Sequence, residues 1–365
     1  MPFKLSIFSN AALLSVLCLS LSLPGCAVQP PAATGVAPPA MGYSGMTRLD
    51  PKTYLVVHDF KRAGPRLGLL RVTGKGAPQY EPLDTANWPS PHSRATDLEA
   101  LCALPDGGFL AAESSPSAGR AARIFHFELS GKNPRLRQTL PMPRGAPHPN
   151  NFEAMACASR RDGRVLLLLG ERGGSTQYPQ GVLYWGYFDP AAGTLFWPPS
   201  GRAGAAVHPP SLRPNVRERR AIADFYLDAK GALWAVASED GGNAGPFRSI
   251  VYQAATVHPN NEPPVDINPK PCARWIFDGL KVEALAAPSS AITDSVLSFA
   301  TDDEHYGGLW RPLYDSPVDC DGKLGAAALP AEGRALGLWM SDAAITAQIP
   351  AINQNNIRGK GRQGC

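Results

Sequence analysis

The chain lacks the signatures that announce most enzyme classes. No GxSxG elbow, SxxK pair, HExxH helix or nucleotide-binding glycine loop occurs in its 365 residues, so none of those chemistries has its usual residues here. Charge is nearly balanced at +4, too little for the basic footprint of a nucleic-acid binder, and no nucleic-acid partner is expected. The seven cysteines form no CxxC pair and no Cys/His zinc spacing. Beyond the first 26 residues helical periodicity is absent, and no second apolar run is long enough to cross a membrane. Histidines are scattered; His58, His126 and His305 lie within or at the ends of strand-like runs, where structural or surface roles are the simplest reading.

What is present begins with the N-terminus. Lys4 precedes an apolar stretch from Ala11 to Leu23, the layout of an export signal. It ends in LPGC (23–26), which resembles the lipobox of bacterial lipoproteins. That resemblance implies a signal peptide over 1–25 and a diacylglyceryl group on Cys26. It also implies retention at the periplasmic face of the outer membrane, because Ala27 replaces the aspartate that signals inner-membrane retention. An ordinary secretory peptide cut at a nearby AVQ or AAT site is the alternative. Residues 26–42 then read as a Pro/Ala-rich tether, and 346–365 as a flexible C-terminal tail.

Between them, 36 glycines and 37 prolines punctuate short apolar strands. Three stretches place a glutamate inside such a strand: DLEALCAL (97–104), NFEAMACA (151–158) and KVEALAAP (281–288). Each is followed by a turn, a second apolar strand ending in an acid, a loop and a third strand. Two weaker copies occupy 43–72 and 222–255. The first-strand column therefore reads Ser44, Glu99, Glu153, Asp224 and Glu283. A second column, at second-strand ends, reads Asp59, Glu113, Glu171, Glu239 and Asp302. Members of either column recur every 54–71 residues. Candidate fourth strands are RLRQTLPM (135–142), TLFWPP (194–199) and ARWIFDG (273–279).

A recurring unit of three or four short strands is a propeller blade. The expectation is an all-β fold, a β-propeller over 43–345 with five four-stranded blades. A sixth, degenerate blade is the alternative if RALGLWMS within 320–345 adds a strand. First strands line the axis of a propeller, so Glu99, Glu153, Asp224 and Glu283 are expected to ring a central channel. Two carboxylates ~5 Å apart repel by about 3 kcal/mol at an effective dielectric near 20. Proton uptake, inward arginines, neighbouring amides or a bound divalent cation can each relieve that. Ca²⁺ suits an all-oxygen site.

The loops after the second column should crowd one face, bringing Asp59, Glu113, Glu171, Arg172, Glu239, Arg248 and Asp302 to the channel mouth. Arg172, Arg248 and Arg311 would there pair with carboxylates or meet an anionic ligand. The arginine run RPNVRERR (213–220) reads as a solvated inter-blade loop. Cys272 and Cys320 are expected to form a disulfide between outer edges, and Cys102 and Cys157 to pack as neighbouring thiols across two blades.

The pairing of [DN]-[LF]-E-A-[LM] with a next strand ending in AES, GERG or ATDDE resembles the phytase-like β-propeller proteins of bacteria, including the group called "esterase-like activity of phytase". The likeness spans about 43–315 and is clearest in SGMTRLDPKTYLVVHD, LLLLGERGG and ATDDEHYGGLWRPL. It implies the propeller fold. The aspartate- and lysine-rich motifs that hold calcium and phosphate in true propeller phytases are not recognisable, so the reaction stays open. Two functions are expected from different classes: a lipid-anchored module binding a small-molecule or protein ligand near the membrane, or a calcium-dependent phosphoesterase. The anchor is directly testable. A Cys26→Ser variant should lose its lipid and leave the membrane fraction or stay unprocessed; unchanged partitioning would reject the lipobox.

Overall fold

The computed structural model describes residues 41–315 apart from short stretches at 61–63, 75–76, 86–87, 89–94, 115–121, 144–150, 175–179 and 211–218. Cys26, the tether, Cys320, the segment to 345 and the C-terminal tail lie outside the described residues. Among the described residues, twenty-one strands form five antiparallel sheets, each built from consecutive strands. Blade 1 comprises β1 (Gly45–Asp50), β2 (Thr53–Val57), β3 (Leu67–Arg71) and β4 (Gln79–Leu83). Blade 2 comprises β5 (Leu98–Ala103), β6 (Phe109–Glu113), β7 (Arg123–Ser130) and β8 (Asn133–Pro141).

Blade 3 comprises β9 (Phe152–Ser159), β10 (Val165–Glu171) and β11 (Gly181–Asp189). Its outer position is shared by β12 (Thr194–Phe196) and β13 (Ala205–Val207), which pair with opposite ends of β11 around the short helix α1 (Pro199–Ala203). Blade 4 repeats that device. After β14 (Arg219–Leu227), β15 (Ala232–Asp240) and β16 (Phe247–Val257), the outer position is split between β17 (Val265–Ile267) and β18 (Ala273–Asp278). Blade 5 has β19 (Val282–Ala286), β20 (Ser295–Thr301) and β21 (Trp310–Tyr314) among the described residues. The innermost strands β1, β5, β9, β14 and β19 touch in sequence, and β19 touches β1. The fold is a five-bladed β-propeller.

There is no single core. Five apolar clusters lie between successive blades, each drawing side chains from the two sheets that flank it. Every sheet is thus covered on both faces, which is why β2, β6 and β10 are buried at every position and read as continuous apolar runs rather than alternating ones.

That layering explains the glutamates. Leu98 packs between blades 1 and 2, and Ala100, two residues on, packs between blades 2 and 3. In a regular strand, residues two apart share a face. The pairing slips here: Leu98 faces Glu113 and Ala100 faces Ala112, which leaves Glu99 as the extra residue of a β-bulge. Blade 3 does the same, with Phe152 and Ala154 in different clusters and Glu153 between them at the slip. In blade 5, Val282 and Ala284 split likewise around Glu283. A bulge changes which face the strand presents and re-aims the extra side chain; here all three bulged side chains line the axial cavity.

At the far end of the axis the five inner strands surround a smaller cavity of about 190 Å³, lined among others by Met46, Leu101, Met155, Phe225 and Leu285. Cys102 of β5 and Cys157 of β9 also line it, and they form a disulfide across blades 2 and 3 with Cα atoms 5.8 Å apart. The expectation of packed thiols is therefore corrected: the two sulfurs are bonded, Cys102 lying one rung short of the Cys157 level on the adjacent inner strand. Cys272 is also disulfide-bonded; its expected partner, Cys320, is outside the described residues. The Cys102–Cys157 link closes 55 residues of chain, and cross-linking a loop of that length stabilises by about 2–4 kcal/mol. The Cys102→Ala/Cys157→Ala double variant should lose that amount in denaturant unfolding, and an unchanged midpoint would reject an inter-blade staple.

Candidate functional site

At the bulged end the axis opens into a cavity of about 470 Å³. Its wall holds six carboxylates, Asp59, Asp97, Glu99, Glu153, Glu283 and Glu304, against three cations, Arg172, Arg220 and Lys281. Ser114, Asn151 and Asn243 complete the polar lining. All three cations stand with Glu153, Glu283 and Glu304 on one side, and Asp59, Asp97 and Glu99 lie together on the other.

On the side of blades 3, 4 and 5 the charges interlock. Arg220 donates from Nη1 to Glu153 Oε2 at 3.4 Å and to Glu283 Oε1 at 2.5 Å. Arg172 Nη1 reaches Glu153 Oε1 at 3.5 Å. Lys281 Nζ lies 3.1 Å from Glu283 Oε1 and 2.5 Å from Glu304 Oε1. Burial alone would lower the Lys281 pKa, but the carboxylates around it, Glu283 first, hold it above its ordinary value. For Glu283 burial wins over Lys281 and Arg220, and its pKa is raised.

Arg220 corrects the reading of RPNVRERR as a solvated loop. Its last residues belong to β14, where Arg219 and Arg220 pair with Glu239 and Ser238 of β15. Phe152 and Ala154 of blade 3 hold the corresponding rungs, opposite Glu171 and Gly170. Blade 4 therefore places a cation where blades 2, 3 and 5 place bulged glutamates. Asp224 sits farther along β14, opposite Val236, and does not line the cavity. Its Oδ2 accepts a hydrogen bond from Leu285 N of the next inner strand at 2.6 Å, and burial raises its pKa well above the ordinary value. The ring drawn from sequence thus separates into three glutamates at one level and one blade-to-blade clasp below them. Ser44, the blade 1 member, is buried.

On the side of blades 1 and 2, Asp59, Asp97 and Glu99 each offer a carboxylate oxygen within 4.8 Å of the others. Asp97 adopts φ 58°, a left-handed conformation that aspartate tolerates better than most residues, and its carbonyl accepts Ser114 N at 2.9 Å. Glu99 has no cationic partner among the described residues. Burial, then the charges of Glu153, Asp97, Asp59 and Glu283, push its pKa well up. Two oxygens bound to one Ca²⁺ at 2.3–2.6 Å are at most about 5 Å apart, so this trio fits a calcium-sized ion. Of it, Glu99 was marked as a ligand and Asp59 as a mouth residue; Asp97 was missed. Its signal is the D of DLE, which aligns with the N of NFE.

The second column meets several fates. Glu113 is clamped by Arg123 through two contacts of 2.8 Å and accepts Thr96 N at 3.0 Å. Glu171 accepts Tyr184 Oη at 2.8 Å, and burial raises its pKa. Glu239 is buried opposite Arg248 on β16, while Arg248 pairs with Asp278 at 3.4 Å. These serve as fasteners between strands, and none lines the mouth cavity. Asp302 lies one residue past the equivalent rung, held by Thr301. Burial, then Glu283, raise its pKa to about 8, and burial raises that of Asp303 to about 6. His58 is buried between Gly42 O and Tyr80 Oη at 2.6 and 2.9 Å, with its pKa lowered to about 4 by burial. His126 is buried against Phe188, and His305 is exposed.

No family model matches the chain, and no curated protein does. Solved structures of similar shape are propellers. A thermostable family-43 glycoside hydrolase superposes with a TM-score of 0.50 at 10% identity, over 80% of this chain and 96% of that one. An endo-arabinase from Bacteroides thetaiotaomicron gives a TM-score of 0.42 at 13% identity, over 78% and 96%. An α-L-arabinanase mutant from Cellvibrio cellulosa gives 0.44 at 13%, over 78% and 95%. At such identities the first likeness speaks to the fold alone.

The raised carboxyl groups set a pH dependence. Each binds its proton more tightly folded than unfolded, so its contribution is complete below the unfolded value near 4. It is lost as pH rises through the folded value. Melting temperature measured in chelator should therefore fall between pH 5 and 9, and Asp302→Asn should flatten the part of the decline near pH 8. A profile that rises over this range would show that these groups are ionised in the folded protein.

Proposed function

We propose that the protein is an exported, lipid-anchored propeller whose channel mouth binds a divalent cation, calcium by its chemistry, and through it a small anionic ligand. The observation that carries this is the convergence of Asp59, Asp97 and Glu99, whose carboxylate oxygens lie within 4.8 Å of one another, across the cavity from Arg172, Arg220 and Lys281 on the side of blades 3 to 5. Among the described residues of its wall six carboxyl groups face three cations, an excess that favours a cation first. An anion then bridges the ion and the guanidinium groups of Arg172 and Arg220. The lipid anchor at Cys26 rests on the sequence and keeps the module at the membrane.

A second reading is a phosphoesterase, favoured by the same juxtaposition of hard oxygen ligands and guanidinium groups and by the phytase-like sequence pattern. A divalent cation bound there would supply Lewis acidity toward a phosphoryl oxygen. Arg172 and Arg220 would orient the ester and balance charge on its remaining oxygens. The similar propellers named above carry sugar-directed names, but the mouth wall has no aromatic side chain among the described residues on which a sugar ring could lie.

Calcium that binds only the folded protein stabilises it by about 2.7 kcal/mol at a hundredfold excess over Kd, a rise of several degrees in melting temperature for a domain of this size. Adding calcium to chelator-treated protein should give that rise, and Asp97→Asn should abolish most of it. Indifference to both chelator and calcium would sink the cation site. A phosphoester panel with and without calcium then divides the two readings: calcium-dependent turnover favours the hydrolase, and calcium-dependent binding without turnover favours the module.

A further inference from the structure

A second cavity, of about 520 Å³, opens beside the mouth at the seam of blades 4 and 5. The dividing wall is one residue thick in three places. Asn243, Lys281 and Glu304 face the acidic mouth, while their chain neighbours Ala244, Leu280 and Asp303 face the second cavity. The chemistry changes completely across that wall. Here the lining is Pro246, Phe247, Leu280, Tyr306 and Leu309, with glycines between them and Arg311 at the edge. Its volume lies within the range of small-molecule sites, which are apolar with a few placed polar groups.

Arg311 is the placed group. Of the three arginines that sequence left open between pairing and ligand contact, Arg172 pairs with Glu153 and Arg248 with Asp278. Arg311 pairs with no carboxylate among the described residues; its Nη1 donates to the Trp310 carbonyl at 2.9 Å. Its side chain is exposed on β21, while the protein packed against its base lowers its pKa. A guanidinium open to solvent at the edge of an apolar cavity, with no carboxylate partner among the described residues, favours an anion brought from outside. Asp303, the carboxylate on the same wall, is turned away: its oxygens accept Lys281 N at 2.7 Å and Thr301 Oγ1 at 2.7 Å. Tyr306 is 40% exposed, an aromatic face left at the rim while Phe247 is buried in the floor.

We propose that this cavity is a second ligand site, taking a ring-sized apolar organic anion. Its body lies against Phe247, Leu280 and Leu309 beneath Tyr306, and its single acidic head pairs with Arg311. The site is independent of the cation in the mouth.

Titration of the full chain in chelator with 1-naphthoate, and with neutral 1-naphthylmethanol, tests both halves of the proposal. Saturable naphthoate binding is expected, at least tenfold tighter than the alcohol. Arg311→Met should erase that tenfold preference while leaving alcohol binding in place. Tyr306→Ala, at an exposed position, should weaken both probes severalfold without lowering the melting temperature. Absence of saturable binding, or equal naphthoate affinity in the parent and Arg311→Met, would overturn the site. So would loss of naphthoate binding in Arg172→Met with Arg311→Met unaffected, because the probe would then be in the mouth.

Discussion

Every sheet in this molecule must bury both of its faces, and a chain of short strands can satisfy that only by closing into a ring. A stack of five sheets in a row would leave two faces bare; joining the fifth to the first leaves none. The inner strands meet the demand at their tightest point, where neighbouring blades converge on the axis. There a strand that kept its alternation could feed only one of its two flanking clusters with residues two apart. The bulges at Glu99, Glu153 and Glu283 release that restriction. Leu98, Phe152 and Val282 go to one side, and Ala100, Ala154 and Ala284 to the other. The carboxylates at the mouth are the side chains left over from this change of face.

Electrostatics then follows from position. Three glutamates at one level around a narrow axis repel, and blade 4 answers by supplying Arg220 at the rung where the others have a bulge. Its guanidinium spans Glu153 and Glu283, leaving Glu99 to the other half of the cavity with Asp59 and Asp97. The wall is therefore sorted by blade, with interlocked carboxylates and cations on one arc and three converging carboxyl groups on the other. Directly behind the arc of interlocked charges, the 242–245, 280–281 and 303–304 segments pass from one cavity to the other within single peptide steps. Neighbouring residues of these non-strand segments face opposite sides, which gives two adjacent cavities of different character.

Much of the architecture was legible in the sequence because apolar runs and turns repeat. β8, β12 and β18 fall where the fourth-strand candidates stood, and both acidic columns recur with the blades. What was not legible was register. Asp224 aligns with the glutamates by count, but blade 4 carries additional residues between Arg220 and Asp224 at its own slip, which moves the acid along the axis and puts arginine at the mouth. A bulge adds one residue without changing composition, so alignment by apolar pattern slides past it. Asp97 escaped for a related reason: a left-handed residue just before a strand looks like any polar turn residue. Likewise Glu113 and Glu171 share a column with Asp59 but are consumed by Arg123 and Tyr184, partners on strands the column does not mention.

The bond between Cys102 and Cys157 fastens blades 2 and 3 at the end of the axis opposite the carboxylates. Along extended strands, Glu99 and Glu153 lie three and four residues away, or roughly 10–13 Å. Any relative motion of these two blades is consequently a rotation about a fixed pivot rather than a sliding apart. Displacement grows with distance from the sulfurs, so the same small angle that leaves one aperture unchanged widens the other. Glu99 and Glu153 lie at that wider end, so the gap between them is the dimension such a rotation changes most.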